Sequence, residues 1–150
     1  QAAGRPIVRP HAHRDAVTLA DGTIVVGARF LVEHPYSAEP APTFGLYFDE
    51  HWAPPWDHAH LAWDDFGVPH VGELRAALED LLARARDGER VEVGCLGGHG
   101  RTGTALACLA ILAGASPEEA VDWVRATYCE KAVENDEQQA FVAAFGTQQR

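Results

Sequence analysis

The chain has 150 residues, the size of one domain and enough to bury a core. Its formal charge of −10, from 12 basic against 22 acidic residues, excludes a general binder of nucleic acid or anionic membrane, because neutralising phosphates needs clustered Lys and Arg. Cys95, Cys108 and Cys129 form no even disulfide framework, and no apolar run reaches the roughly 18 residues of a membrane span, so a single, monomeric, cytoplasmic domain is expected.

Residues 1–15, rich in Pro, Arg and His, are expected to be a peripheral segment. "VTLADGTIVVGARF" alternates apolar and polar residues and turns at Asp21-Gly22, which predicts a hairpin. "FGLYFD" (44–49) and "HLAW" (60–63) read as strands, and the intervening "EHWAPPWDHA" as a loop. Leu74, Ala77, Leu78, Leu81 and Leu82 recur at helical spacing within a helix from Val71 to Arg86, which Asp87-Gly88 stops. "VEV" (91–93) predicts a short strand, and Thr102 to Ala113 an apolar helix. Ser116-Pro117-Glu118-Glu119 is a capping box that opens a helix running to Thr127, and a last helix begins near Asn135. The pattern is α/β or α+β, with a central sheet flanked by helices.

The loop between the predicted strand and helix, "GCLGGHGRTG", carries the chemistry. Gly97, Gly98 and Gly100 let a backbone curl with its amides inward, and a helix N-terminus behind them favours an anion. Arg101, six residues after Cys95, offers a planar fork suited to a tetrahedral oxyanion. All three influences favour a Cys95 thiolate, with a pKa expected well below the free value of roughly 8.5.

Cys95-Leu96-Gly97-Gly98-His99-Gly100-Arg101-Thr102-Gly103 resembles the signature of the protein tyrosine phosphatase superfamily: Cys, five residues, Arg, then Ser or Thr. It departs at Gly94, where the family carries His. "AWDDFGVP" (62–69) is similar to the family's mobile acid loop, which places the general acid at Asp65, with Asp64 standing where Pro is usual. An adjacent like charge raises the pKa of one of such a pair. "AVENDEQQAFV" (132–142) resembles the segment whose glutamine positions the hydrolytic water, which falls on Gln138, with Glu134 where relatives have Gln or Glu. The acid segment precedes the cysteine by thirty residues, the reverse of the order in low-molecular-weight phosphatases.

The resemblance implies an α/β fold with a mostly parallel twisted sheet flanked by helices. It also implies a phosphomonoester hydrolase that needs no metal or cofactor. Cys95 attacks phosphorus; Arg101 and the amides of Leu96, Gly97, Gly98, His99, Gly100 and Arg101 hold the phosphate; Asp65 supplies the proton; Thr102 stabilises the leaving thiolate; and Gln138 orients water. Phosphotyrosine or mixed phosphotyrosine/phosphoserine proteins are the expected substrates, with Tyr36, Tyr47, Trp52 and Trp56 as material for an aromatic cleft. Nucleotides, inositol phosphates, phosphoinositides and RNA 5′-phosphates are the alternative. A non-catalytic phosphate-binding module is the reading from another class. His11-Ala-His13 and His58-Ala-His60 could each chelate from a strand, but with no Cys or carboxylate partner placed beside them zinc is not expected.

Overall fold

The computed structural model describes residues 13–30, 41–49, 53–63, 68–96, 100–133 and 135–147. Five strands form one sheet: β1 (His13–Thr18), β2 (Ile24–Phe30), β3 (Phe44–Tyr47), β4 (His58–His60) and β5 (Val91–Leu96), in the order β1-β2-β5-β3-β4. β1 pairs antiparallel with β2 through the hairpin at Asp21-Gly22, where Gly22 takes a φ of 89° that L residues resist. All other pairings are parallel, so the mostly parallel sheet implied by the resemblance is present. β1 reaches back to His13, which places 13–15 in the sheet and not in a peripheral segment.

Four helices follow the predicted pattern: α1 (Val71–Arg86), α2 (Gly100–Leu112), α3 (Pro117–Thr127) and α4 (Asp136–Thr147). α1 has the expected bounds because Leu74, Leu78, Leu81 and Leu82 make one buried stripe, and its exit passes through Gly88 at a φ of 94°. The Ser116 capping box is complete: its hydroxyl accepts from the Glu119 N–H, and the Glu119 carboxylate accepts from the Ser116 N–H. α2 is buried from Gly100 to Ile111 and packs against the sheet, α1, α3 and α4, which is why its sequence is apolar on every side. Among the described residues no helix is long and apolar enough to cross a membrane.

Strand ends differ from expectation. β3 stops at Tyr47, β4 occupies 58–60 where a loop and then "HLAW" were predicted, β5 continues from "VEV" to Leu96, and α2 starts two residues before Thr102. Hydrogen bonding from neighbouring strands extends β5, because β2 pairs with it as far as Leu96. Along β5 the side chains of Val91, Val93 and Cys95 join Leu46, Leu74, Leu78, Leu106 and Leu109 in one core cluster. Glu92 points the other way, is fully buried, and accepts from the Tyr47 hydroxyl at 2.6 Å. Trp56 Nε1 donates to that same hydroxyl at 2.8 Å. Gly45 permits this, since a Cβ there would collide with the Tyr47 side chain. Tyr47 and Trp56 are thus engaged in a polar network of the sheet and do not wall an aromatic cleft; Tyr36 and Trp52 lie outside the described residues.

The central position of α2 sets the stability prediction. Leu106→Ala should lower the unfolding free energy by about 2–5 kcal/mol, whereas Ser116→Ala should cost about 1 kcal/mol, as read from urea unfolding curves. Equal losses would contradict this account of the core.

Candidate active site

Parallel β2, β5 and β3 all end at one edge of the sheet, and chemistry in open α/β sheets gathers outside the carboxyl ends of the strands. Cys95 stands one residue before the end of β5 and is 1% exposed. α2 begins at Gly100, so its first turn, Gly100–Gly103, carries the positive end of the helix dipole.

Thr102 in that turn is the group that touches the thiol. Its Oγ1 lies 3.0 Å from Cys95 Sγ and 2.9 Å from the Ala28 carbonyl oxygen of β2. A hydroxyl has one proton to donate. With a neutral thiol, the S–H can donate to Oγ1 while Oγ1–H donates to Ala28; with a thiolate, the hydroxyl proton must turn to sulfur.

Arg101 is buried at the same helix end. Its Nη1 donates to Asp49 Oδ1 at 2.8 Å, closing an ion pair with side chains 4% and 21% exposed, and to the Trp63 carbonyl oxygen at 3.0 Å. Asp49 follows β3, whose register is carried on by the Phe48 N–H to the Gly94 carbonyl at 3.2 Å. Trp63 is buried with its ring edge-on to Phe48, centroids 4.7 Å apart. It is the last described residue before 64–67, so Arg101 is tied to the base of the segment that holds Asp65.

Burial pushes the Cys95 thiol up, and this outweighs the downward pull of the Arg101 charge and then of the Thr102 hydroxyl; the Asp49 carboxylate adds to the rise. The lowered pKa expected from the motif is therefore not what this enclosed arrangement favours. The motif displays the charges near the sulfur but not the exclusion of water from it. Burial also pushes Cys108 up, as befits an inert core cysteine. All three cysteines are free thiols.

The structure thus brings Cys95, Arg101 and Thr102 together. Leu96 ends β5, Gly100 opens α2, and Gln138 is fully buried in the first turn of α4, its N–H held by Asn135 Oδ1 at 2.8 Å. Asp65, Gly97, Gly98, His99, Asp64 and Glu134 lie outside the described residues, as do His11 and His51. His58 and His60 stack edge to face 5.0 Å apart, and the described residues contain no group of three or more His, Cys, Asp or Glu placed to hold a metal. Sequence reasoning missed Asp49, which lay inside a predicted strand; a carboxylate just past a core strand was the only signal. The Ala28 and Trp63 carbonyls carry no side-chain signature at all. An open groove of about 840 Å³ lies apart from these residues, between the hairpin turn at Asp21 and the α1–β5 connection at Arg90.

Comparisons with known proteins agree with this geometry. The family profile described as "PTP-SAK: Swiss Army Knife protein, DSP-PTPase phosphatase domain" matches residues 7–145. Two curated proteins of Methanocaldococcus jannaschii, both described as uncharacterized, are 42% and 39% identical over 82 residues. That stretch is 55% of this chain and 54% and 50% of theirs, so the chain spans about half the length of the curated relatives it matches. Among solved structures, Tk-PTP in its active form superposes with a TM-score of 0.70 at 24% identity, covering 83% of this chain and 92% of that one. Kinase associated phosphatase, solved with its catalytic cysteine replaced by serine, gives 0.73 at 14% identity over 92% and 96%. PTPMT1 in complex with PI(5)P gives 0.61 at 19% identity over 71% and 77%. At these identities the likeness is one of fold.

The Cys95 environment predicts an order of thiol titrations, read from the pH dependence of iodoacetamide alkylation. Arg101→Ala and Thr102→Val should raise the pKa, since each removes a group that favours the thiolate, while Asp49→Asn should lower it. A rise in Asp49→Asn would contradict the assigned electrostatics.

Proposed function

Because this chain belongs to the Swiss Army Knife family of dual-specificity-type, cysteine-dependent phosphatases, we propose that it hydrolyses phosphate monoesters through a cysteinyl phosphate on Cys95. The observation that carries this reading is the Thr102 hydroxyl 3.0 Å from Cys95 Sγ, with buried Arg101 beside it at the N-terminus of α2. A phosphate entering there meets a guanidinium whose plane Asp49 fixes. Its fork and the amides of residues 96–101 hold the equatorial oxygens as charge builds on them.

In the first step the Cys95 thiol passes its proton to solvent water, which returns it when the cycle ends, and the Thr102 hydroxyl swings from the Ala28 carbonyl to the sulfur. Sulfur attacks phosphorus in line, the ester P–O bond breaks, and Asp65 protonates the leaving oxygen. In the second step Asp65, now a carboxylate, takes a proton from water oriented by Gln138. The water oxygen attacks phosphorus, the S–P bond breaks, and the electron pair returns to Cys95 as thiolate. The phosphate dianion adds to the negative charge of Asp49 and of a Cys95 thiolate, and the Arg101 guanidinium is the cation that offsets it, which is why that residue must be present and oriented.

Phosphotyrosine or mixed phosphotyrosine/phosphoserine proteins are the proposed substrates, in line with the kinase associated phosphatase among the fold relatives. One observation favours a second reading, a small phosphate such as a nucleotide or inositol phosphate. Tyr47 is buried against Glu92, with Trp56 Nε1 donating to its hydroxyl, so Tyr47 does not build the aromatic wall that phosphotyrosine uses; a neighbour of the fold, PTPMT1, was solved with a phosphoinositide. Ranking kcat/KM over phosphotyrosyl and phosphoseryl peptides, mononucleotides and inositol phosphates decides between them. A soluble, monomeric, cytoplasmic enzyme completes the proposal.

Cys95→Ser should abolish hydrolysis of p-nitrophenyl phosphate, and unchanged turnover in that variant would sink the mechanism. Asp65→Asn should lower kcat by about 10²–10⁴. It should also remove the decline of rate at high pH, because that limb reports the acid losing its proton; Asp64→Asn should leave the limb in place.

A further inference from the structure

Val133 is a β-branched residue at a φ of 59°, the left-handed region such a side chain most resists, and it is fully buried. Among the described residues no other non-glycine has a positive φ. Strain of this kind persists only where the surroundings over-determine it, and here three contacts do so. Arg125 of α3 donates from Nε to the Ala132 carbonyl at 3.0 Å and from Nη2 to the Val133 carbonyl at 2.8 Å. The Ala132 N–H donates to the Cys129 carbonyl at 3.0 Å. Gly103 presses on the turn from the other side: a Cβ there would collide with the Ala132 side chain and stand 2.8 Å from the Ala132 Cα and 3.3 Å from the Val133 nitrogen.

The turn is therefore seated on the first turn of α2, one residue past the hydroxyl that holds Cys95 Sγ. Beyond it the chain reaches Asn135, which caps α4 through the Gln138 N–H. We propose that Arg125 is a positioning residue for hydrolysis of the cysteinyl phosphate: its fork holds the strained Ala132–Val133 turn against Gly103 and thereby sets where α4 begins and where Gln138 stands. The proposal rests on the phosphatase reading above. It assigns Arg125 to the second step alone, because Cys95, Thr102, Arg101 and Asp49 are held by contacts from β2, β3, β5 and residue Trp63, none of which passes through Arg125. A lysine cannot reproduce the two-point grip on successive carbonyls.

The test measures how the phosphoenzyme divides between water and an added alcohol. p-Nitrophenyl phosphate is turned over with ethylene glycol present, and p-nitrophenol and inorganic phosphate are both counted. When glycol attacks, its oxygen joins phosphorus, the S–P bond breaks and its proton goes to Asp65, so phenol is released without phosphate. In Arg125→Ala the rate of phosphoenzyme formation should stay within about twofold of wild type. Hydrolysis of the phosphoenzyme should fall by about 10- to 100-fold, as a displaced reacting group predicts, and the phenol-to-phosphate ratio should rise. Arg125→Lys, which keeps the charge and one contact, should give an intermediate ratio and is the variant to read where Arg125→Ala does not fold. An unchanged ratio in the folded variant, or an equal loss in both steps, overturns the positioning role. A wild-type chain that releases no phenol overturns the phosphatase reading instead.

Discussion

A single hydroxyl proton on Thr102 is shared between the Ala28 carbonyl and Cys95 Sγ, and the site is organised around that competition. The hydroxyl joins β2, β5 and α2 at one point, so three elements meet at the sulfur. Such a triple junction needs the helix to enter at a fixed angle and depth. Burial of α2 from Gly100 to Ile111 supplies this, since a helix enclosed on every side has no alternative face to present. The cost is that the carbonyl of Ala28 loses its donor whenever the sulfur is anionic. The same hydroxyl can accept from a neutral thiol or donate to a thiolate.

Arg101 imposes the second constraint. A guanidinium buried to this degree must be paired, or its desolvation would exceed anything it gains. In a chain of net charge −10 carboxylates are plentiful, but among the described residues Asp49 is the one that stands just past a strand parallel to β5. Asp49 reaches Arg101 because β3 lies directly beside β5, an adjacency that exists only through the crossover order β1-β2-β5-β3-β4. Topology and the cluster at the sheet edge are linked by a physical chain: strand order places the Asp49 carboxylate, the carboxylate holds the Arg101 guanidinium, and the guanidinium reaches the Trp63 carbonyl.

What the sequence disclosed follows the same division. Local signals were legible: the leucine stripe and Asp87-Gly88 bounded α1, Ser116-Pro117 opened α3, and Asp21-Gly22 turned the hairpin. Spacing also brought Cys95, Arg101 and Thr102 to one place, because the five residues between Cys95 and Arg101 join the end of β5 to the start of α2 and leave little freedom. Asp49 was illegible, since nothing in "FGLYFD" tells a carboxylate that ends a strand from one that pairs 52 residues away. The direction of the Cys95 shift was illegible for a related reason. Neighbouring charges are written in the motif, but the burial that outweighs them is contributed by β2, β3 and α2 together. Tyr47 and Trp56 looked like cleft walls because aromatic residues in a loop-rich stretch carry no mark of the partner that captures them.

That partner, Glu92, gives the polar network beneath the sheet a meaning for the site. A buried carboxylate in the central strand is tolerated only when its oxygens are satisfied, and the Tyr47 hydroxyl at 2.6 Å and the Trp56 indole behind it contribute to this. Tyr47 is two residues before Asp49, and Trp56 is seven residues after it. The connection from β3 to β4 is thus anchored on both sides of the carboxylate that holds Arg101. An apolar residue at position 92 would take from the buried Tyr47 hydroxyl the carboxylate it donates to, while Trp56 would still donate to that hydroxyl. The Glu92 carboxylate, held by the Tyr47 hydroxyl, steadies the chain around Asp49, whose own contact holds the Arg101 guanidinium.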